Sequence, residues 1–498
     1  MSGTAAQALQ AALAPKTGMQ RIPLTLDSYQ HQSVPLSSRL LLNMHAEQAP
    51  PPGQGMARVD ALLLPTPGLV PAPVLGDGLG AGPVHVMNDT RPGIIYCVSG
   101  THLYLLNFGS VGPWVSTDLG DVGTPVPMFG EENTFYTIAV GATAVVVCSP
   151  PNAFISQFNT PVQQITTTWP AGGASSVAYL DGYYVFTNQL DPTEFFISQI
   201  QDPTMFDALD FASLDAFPDN TLKVEAMGAD LWFAGTAGWE IWYDAGNADF
   251  PFRRRPNGII KRPIGRMKSI AQGNEQLFWW SFDNRVYATA GYQEQRISTH
   301  AIERVIADAY EVTIAQSYCY DHLGHIFYCL NLPDTTLAYD TVTKVWHNRS
   351  SSADGNGPWR PSCAAQTVGV PFLGDSGTPG RLLMADRTVS TDAGVAVRRQ
   401  VVLPPLYAGT RRGFCARLEV EMEVGGTNSP GDILLEWSDD GGITYTGSRA
   451  MNAGTTTQTR KRVYTTRLGS FRNRVFRLTA QHAMSVYAID CDIVVGNS

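Results

Sequence analysis

Four stretches of this 498-residue chain carry side chains that could do chemistry. "GYQEQRISTHAIE" (Gly291–Glu303) holds Glu294, Arg296, His300, Glu303 and two aliphatic hydroxyls within thirteen residues, the types from which an acid–base site is built. "CYDHLGHIFYC" places Cys319, His322, His325 and Cys329 in one run, and all four types bind zinc. "DPTMFDALDFASLDAFPDN" carries the acid pair Asp207/Asp210, the residue type that hydrolyses glycosides. Two basic runs could touch phosphates or a partner subunit. One contains Arg253, Arg254, Arg255, Lys261, Arg262, Arg266 and Lys268; the other contains Arg460, Lys461, Arg462, Arg467, Arg472, Arg474 and Arg477.

Each stretch also has a plain structural reading. After Ser298, the apolar residues Ile302, Val305, Ile306 and Ala309 recur at helical spacing. This predicts a short helix near 298–310 with Ser298 as its N-cap. His300 then lies near a helix start, with no nucleophile or base fixed beside it in sequence. The C-x2-H-x2-H-x3-C spacing matches no familiar closed metal site and reads as a hairpin turning at "DHLG". "SDDGGITY" has the pattern Ser438, Asp440, Gly442, Thr444 and an aromatic residue. It resembles the Asp-box of sialidases and related propellers, a hairpin motif away from the catalytic centre. The Asp440 carboxylate would cap local backbone amides. There is no G-x-S-x-G, Walker loop or H-E-x-x-H. No catalytic, cofactor-binding or metal residue is assigned, and no cofactor is expected. The basic runs read first as an interface with the acidic half of the chain, because the net charge is −10.

The elements that must position these residues are strands. Charged residues make up 16% of the chain, Gly numbers 47 and Pro 33, and the apolar runs are β-branched and aromatic. Short apolar centres fall at Tyr104, Val146, Val185, Trp232, Trp279, Phe327 and Phe372, at intervals of 42, 39, 47, 47, 48 and 45 residues. Hairpin signals such as Asp181-Gly182 sit beside them. A period of about 40–50 residues with several strands per unit marks a β-propeller. Six or seven blades are expected over 61–395, with the helix inserted between the fifth and sixth. Residues 1–60 read as an arm and Pro-rich linker. Residues 396–498 alternate polar and apolar and read as a β-sandwich-like domain.

Charge is uneven. Residues 1–250 hold 6 Lys+Arg against 22 Asp+Glu, whereas 251–498 hold 28 against 22. The asymmetry predicts two faces with different partners. Seven cysteines without a C-x-x-C read as small buried hydrophobes in a protein made in a reducing compartment. No signal peptide pattern or apolar span of about 18–20 residues is visible, so no membrane span is expected.

Several phrases in order carry a family resemblance. They are "SRLLLNMHAEQAP" (Ser38–Pro50), "VAYLDGYYVF" (Val177–Phe186), "FDALDFASLDAFPD" (Phe206–Asp219), "GWEIWYDAGNADFPFRRRPNGII" (Gly238–Ile260), "GYQEQRISTHAIE" and "EWSDDGGITY". Together they resemble the packaged-DNA-stabilisation, or tail hub (nozzle), proteins of short-tailed bacteriophages. The resemblance implies a structural virion protein made in the host cytoplasm, assembling as a ring, typically hexameric. The ring would sit below the portal and its adaptor, close the filled head and conduct double-stranded DNA non-specifically. A tail needle or plug and spike or fibre proteins would attach to it. Arg253, Arg254, Arg255, Arg460, Lys461, Arg462 and Arg474 are the candidate subunit, partner or phosphate contacts. The rival expectation is a sialidase-like propeller that cleaves or binds glycans, with an Arg/Glu/Tyr pocket on its axis.

Overall fold

The computed structural model describes residues 18–48, 61–108, 113–126, 135–217, 220–309, 315–367, 369–423, 432–453 and 460–495. The Ala-rich start and the Pro-rich 49–60 lie outside the described residues.

Seven units of four antiparallel strands stand in a ring as blades, the sixth of them forming one end of a larger sheet. Their innermost strands are Val84–Asn88, Thr137–Val140, Ala174–Leu180, Thr221–Met227, Ala271–Gly273, Gln316–His322 and Pro361–Thr367, for blades 1 to 7. All seven contribute lining residues to one axial cavity, and blade 7 packs against blade 1, so the ring is closed. The seven sequence units correspond to these seven blades. Six of the apolar centres lie in a blade's second strand, and Tyr104 lies in the third strand of blade 1. Sequence spacing alone left six or seven open; strand pairing decides for seven.

Blades 1 to 6 each take four strands consecutively from the chain. Tight turns allow this: Asp181 (φ 49°) and Gly182 (φ 97°) both adopt the left-handed geometry of a two-residue hairpin. Blade 7 is different. Its strands Pro361–Thr367, Val370–Asp375 and Leu382–Asp386 are completed by Gly68–Pro71, with Leu383 opposite Pro71 and Asp386 opposite Gly68. The ring is therefore sealed by pairing the front of the propeller segment to its end, which removes a free edge.

Aromatic rings fill the seams between blades. Trp114 meets Phe372 at 4.6 Å across blades 1 and 7, and Phe195 meets Phe233 at 4.5 Å across 3 and 4. Trp239 meets Trp279 at 5.0 Å across 4 and 5, and Phe278 stacks on Tyr328 at 5.1 Å across 5 and 6. Such pairs add about 0.5–1.5 kcal/mol each beyond the area they bury.

The short helix is His300–Asp308, between blades 5 and 6 as expected. Its cap is Thr299, whose hydroxyl accepts the Ile302 amide, and not Ser298. Ser298 is engaged elsewhere: its hydroxyl accepts the Val286 amide at 3.1 Å and donates to Glu303 at 2.7 Å. Ile302 and Ile306 are buried against Phe278, Val286 and Trp346. Among the described residues no helix is long and apolar enough to cross a membrane.

The arm reading of residues 1–60 is corrected by strand pairing. Ser38–Leu42 runs parallel to Val345–Arg349, the outer strand of blade 6, and antiparallel to Arg399–Val402. The same sheet continues through Asn473–Ala480, Asp432–Ser438 and Gly447–Asn452. The facing sheet joins Met44–Gln48, Ala61–Pro65, Ser485–Val495, Gly413–Glu423 and Arg460–Thr466, with Gly18–Ile22 on Ser485–Val495. The C-terminal sandwich is thus completed by residues 18–48 and 61–65. Leu41, Leu63, Leu418, Ile433, Phe476 and Ile489 share its core. The physical reason is that the C-terminal strands alone leave both sheets with an open apolar edge. One sheet runs unbroken from blade 6 into the sandwich.

Candidate functional site

Three places combine charge with exposure or a cavity. The first is the propeller axis, a cavity of about 810 Å³ lined by the inner strands. That size suits a small molecule. Lys223 and Glu225 face it as an ion pair at 2.6 Å. His85 is pushed down to about 4 by burial and by Lys268 nearby. Burial pushes the Asp89 carboxyl up against the backbone amide it accepts from Gln366. Among the described residues the lining contains no arginine, so the Arg/Glu/Tyr constellation expected of a sialidase-like axis does not form there.

The "CYDHLGHIFYC" run is a hairpin closed by Leu323 and Gly324 at φ 56° and 83°. Cys319 lies opposite Tyr328, and Cys329 opposite Tyr318. Side chains alternate faces along a strand, so the two sulfurs point to opposite faces and cannot share an ion. His325 is committed to Asp340, Nδ1 to Oδ2 at 2.8 Å. In "GYQEQRISTHAIE", Gln293–Arg296 is the outer strand of blade 5. Arg296 donates to both oxygens of Glu303 at 2.6 and 2.7 Å, while His300 is exposed. That stretch is a strand clamped to a helix.

The Asp-box residues form the expected hairpin. Asp440 accepts the amides of Ile443 at 3.0 Å and Thr444 at 2.9 Å, and the Gly442 amide bonds to the Ser438 hydroxyl at 2.8 Å. The hydroxyls of Ser438 and Thr444 also donate to Asp440, and these bonds hold its carboxyl well below the usual range. Asp440→Ala should speed amide exchange at Ile443 and Thr444 while global unfolding hardly changes, because the motif is exposed and local. Unchanged exchange there would remove the capping role.

The predicted basic contacts divide. Arg253 and Arg254 are exposed on the outermost strand of blade 4, where they remain open to a partner. Arg255 is not: it binds Asp230, whose other oxygen accepts the Tyr292 hydroxyl at 2.9 Å. Arg474 is buried, donates to both oxygens of Asp439 at 2.6 and 2.7 Å and to the Leu468 carbonyl, and packs 4.9 Å from the Phe471 ring. It is a structural pillar of the sandwich and cannot touch a partner. Arg462 lies beside Glu419 at 3.6 Å and Lys461 beside Asn452 at 3.5 Å. The side chain of Arg460 lies outside the described residues.

Of the second and third places the sequence showed only fragments, Arg467 and Arg472 in a basic run and the Asp207/Asp210 pair. Tyr407, Arg411, Arg412, Phe414, Arg467 and Arg472 are all exposed at one end of the sandwich. On the outer edge of blade 3, Met205, Leu209 and Phe211 are exposed among Asp207, Asp210 and Asp215. The sandwich patch gathers from stretches far apart in the chain, 407–414 and 467–472.

A closed seven-bladed propeller, joined by one continuous sheet to a β-sandwich and carrying charged outer surfaces, defines a two-domain β scaffold. Residues 20–385 match the family model described as bacteriophage P22 Gp10, beta-propeller, and residues 398–496 the model described as bacteriophage P22 Gp10, beta-sandwich. The chain belongs to this family of DNA-stabilisation and tail hub proteins, and is a structural component of a bacteriophage tail. No curated protein sequence matches it. Among solved structures it is similar to virginiamycin B lyase from Staphylococcus aureus, at 9% identity and TM-score 0.41, covering 62% of this chain and 96% of that one. It is also similar to PorZ of Porphyromonas gingivalis, at 11% identity and TM-score 0.36, covering 75% of this chain and 46% of that one. Likeness at this level carries no functional argument.

Proposed function

We propose that the chain is one subunit of a ring, hexameric as is typical of the family, that sits below the portal and its adaptor, closes the DNA-filled head and conducts DNA during ejection. The observation that carries this reading is the family match through both domains in chain order. The fold supports it: blade 6 and the sandwich share one sheet, which ties the two domains of each subunit together.

The axial cavity is of small-molecule size, so duplex DNA would pass between subunits and not through a propeller. A conduit must not grip its cargo. Phosphate contacts hold DNA by releasing counterions, and a wall rich in carboxylates makes few of them. The acidic first half of the chain suits that wall, and the DNA contact would be non-specific. A needle or plug and spikes or fibres would attach around the ring.

The test uses DNA-filled heads that carry portal and adaptor but lack this protein. Adding the purified chain should slow the appearance of nuclease-sensitive DNA, with the protein co-sedimenting on the heads. Unchanged leakage without co-sedimentation would remove the reading.

A further inference from the structure

We propose that the outer edge of blade 3 docks onto the arginine- and aromatic-rich end of the sandwich of a second copy, joining copies head to tail. The proposal rests on the ring reading and names the surfaces that make the ring.

The blade 3 surface surrounds its outermost strand, Phe211–Ser213. Leu209 is 80% exposed, and Met205 and Phe211 are exposed beside it. Three large apolar side chains so close together are unusual on a surface that faces only water. The acids around them lack cations: among the described residues no Lys, Arg or His pairs with Asp207, Asp210 or Asp215. Burial, and then the neighbouring Asp207, push the Asp210 carboxyl up against the one hydrogen bond it accepts from Gln199 at 2.9 Å.

The sandwich surface is its complement. Tyr407 is 72% exposed and Phe414 is 47% exposed. Around them lie Arg411, Arg412, Arg467 and Arg472, brought together by pairing of Tyr407 with Asn473 and of Phe414 with Ser470. The Arg472 carbonyl also accepts the Ala408 amide at 2.8 Å. None of these four guanidinium groups pairs with a carboxylate among the described residues. Exposed aromatics beside arginines are the composition from which interface hot spots are made.

The two surfaces cannot meet within one chain. The sandwich hangs from blade 6, and blade 3 lies three blades away around the seven, on the far side of the propeller. A contact between unlike patches on opposite sides of a subunit is heterologous, and such contacts close into rings when the rotation per step allows. Duplex DNA as the occupant of the arginine patch would leave the apolar edge of blade 3 with no role.

The experiment uses the full chain and two charge reversals, Asp207→Arg with Asp210→Arg, and Arg411→Glu with Arg412→Glu. Sedimentation velocity is run over a concentration series, and again on heads that carry portal and adaptor. Each reversal should weaken self-association by about tenfold or more, since like charges then face each other. Circular dichroism and Tm should match the parent. An equimolar mixture of the two variants should recover association, because each mutated surface then meets its opposite. The proposal is overturned if the reversals leave association unchanged, if mixing fails to restore it, or if the parent stays monomeric in solution and on heads. It is also overturned if the arginine reversal costs only DNA binding. A parent that fails to bind heads defeats the ring reading itself, whereas rings indifferent to both reversals defeat only these surfaces.

Discussion

Taking the chain from pH 7 to pH 5 should cost about 4 kcal/mol of folding stability through two histidines at the junction of propeller and sandwich. His45 comes from strand Met44–Gln48 and His347 from the outer strand of blade 6. The His45 ring lies 5.4 Å from His325, 5.5 Å from Phe327 and 6.4 Å from His347. Arg349 is buried in the same place, its guanidinium 4.3 Å from the Trp359 ring and its Nε donating to His347 Nε2 at 3.3 Å. Burial, and then the Arg349 charge, push His45 down to about 3 and His347 well below its ordinary value.

The unfolded chain takes up protons on these imidazoles near pH 6.5, whereas the folded chain refuses them until far lower pH. Their contribution is therefore complete above about pH 6.5 and falls as pH drops toward the folded values, by about 1.4 kcal/mol per histidine per pH unit. At pH 5 that is about 2 kcal/mol each. His85, His322 and His482 are also pushed down by burial and add losses of the same sign, reduced at the half-buried His85 and His322 by solvent screening. Denaturant titrations at half-unit steps measure the slope, and His45→Phe should remove about half of the two-histidine part. Equal stability at pH 7 and pH 5 would show that water or an acid already compensates these rings.

Asp375→Asn should cost about 3–5 kcal/mol, the loss expected when one partner leaves a buried ion cluster. Asp375 is fully buried in blade 7 and binds two guanidinium groups. Arg360 bonds to both oxygens at 2.9 and 3.0 Å, and Arg381 reaches Oδ2 at 2.6 Å. Burial alone would raise this carboxyl, yet the hydrogen bonds from Arg360, the Gly377 amide and Arg381 hold it below the usual range. The amide of asparagine keeps the shape, loses the charge and turns a donor toward a donor. The turn it organises ends at Gly380, whose amide bonds to the Gly82 carbonyl at 2.6 Å, and any side chain at Gly380 would collide with Gly80. This is the seam where blade 7 meets blade 1. Loss of the cluster should therefore appear both as lower global stability and as new proteolytic cleavage near 375–382. A variant within 1 kcal/mol of the parent, measured by denaturant, would mean that Gly68–Pro71 alone seals the ring.

How much of this molecule is legible in its sequence depends on how far apart the interacting residues lie. The repeat at Val146, Val185, Trp232, Trp279, Phe327 and Phe372 was visible because each blade is a local meander, and strand alternation and turn chemistry are written in neighbouring residues. The Asp440 hairpin was legible for the same reason, since all its bonds span four residues or fewer. The helix was found, but its cap was displaced by one residue because Ser298 is claimed by Val286, twelve residues earlier.

What the sequence by itself determined is the family, the β-propeller class and the charge asymmetry. What only the tertiary structure decided is how the ends are used. Arg21 bonds to Asp490, 469 residues away, and the supposed arm becomes part of the sandwich. Arg474 looked like its basic neighbours, yet its surroundings bury it against Asp439. The Tyr407–Arg472 patch exists only because Asn473–Ala480 pairs with strands from elsewhere in the chain. Closing such long loops depends on the summed burial of a whole sheet, and no local pattern records a sum of that kind.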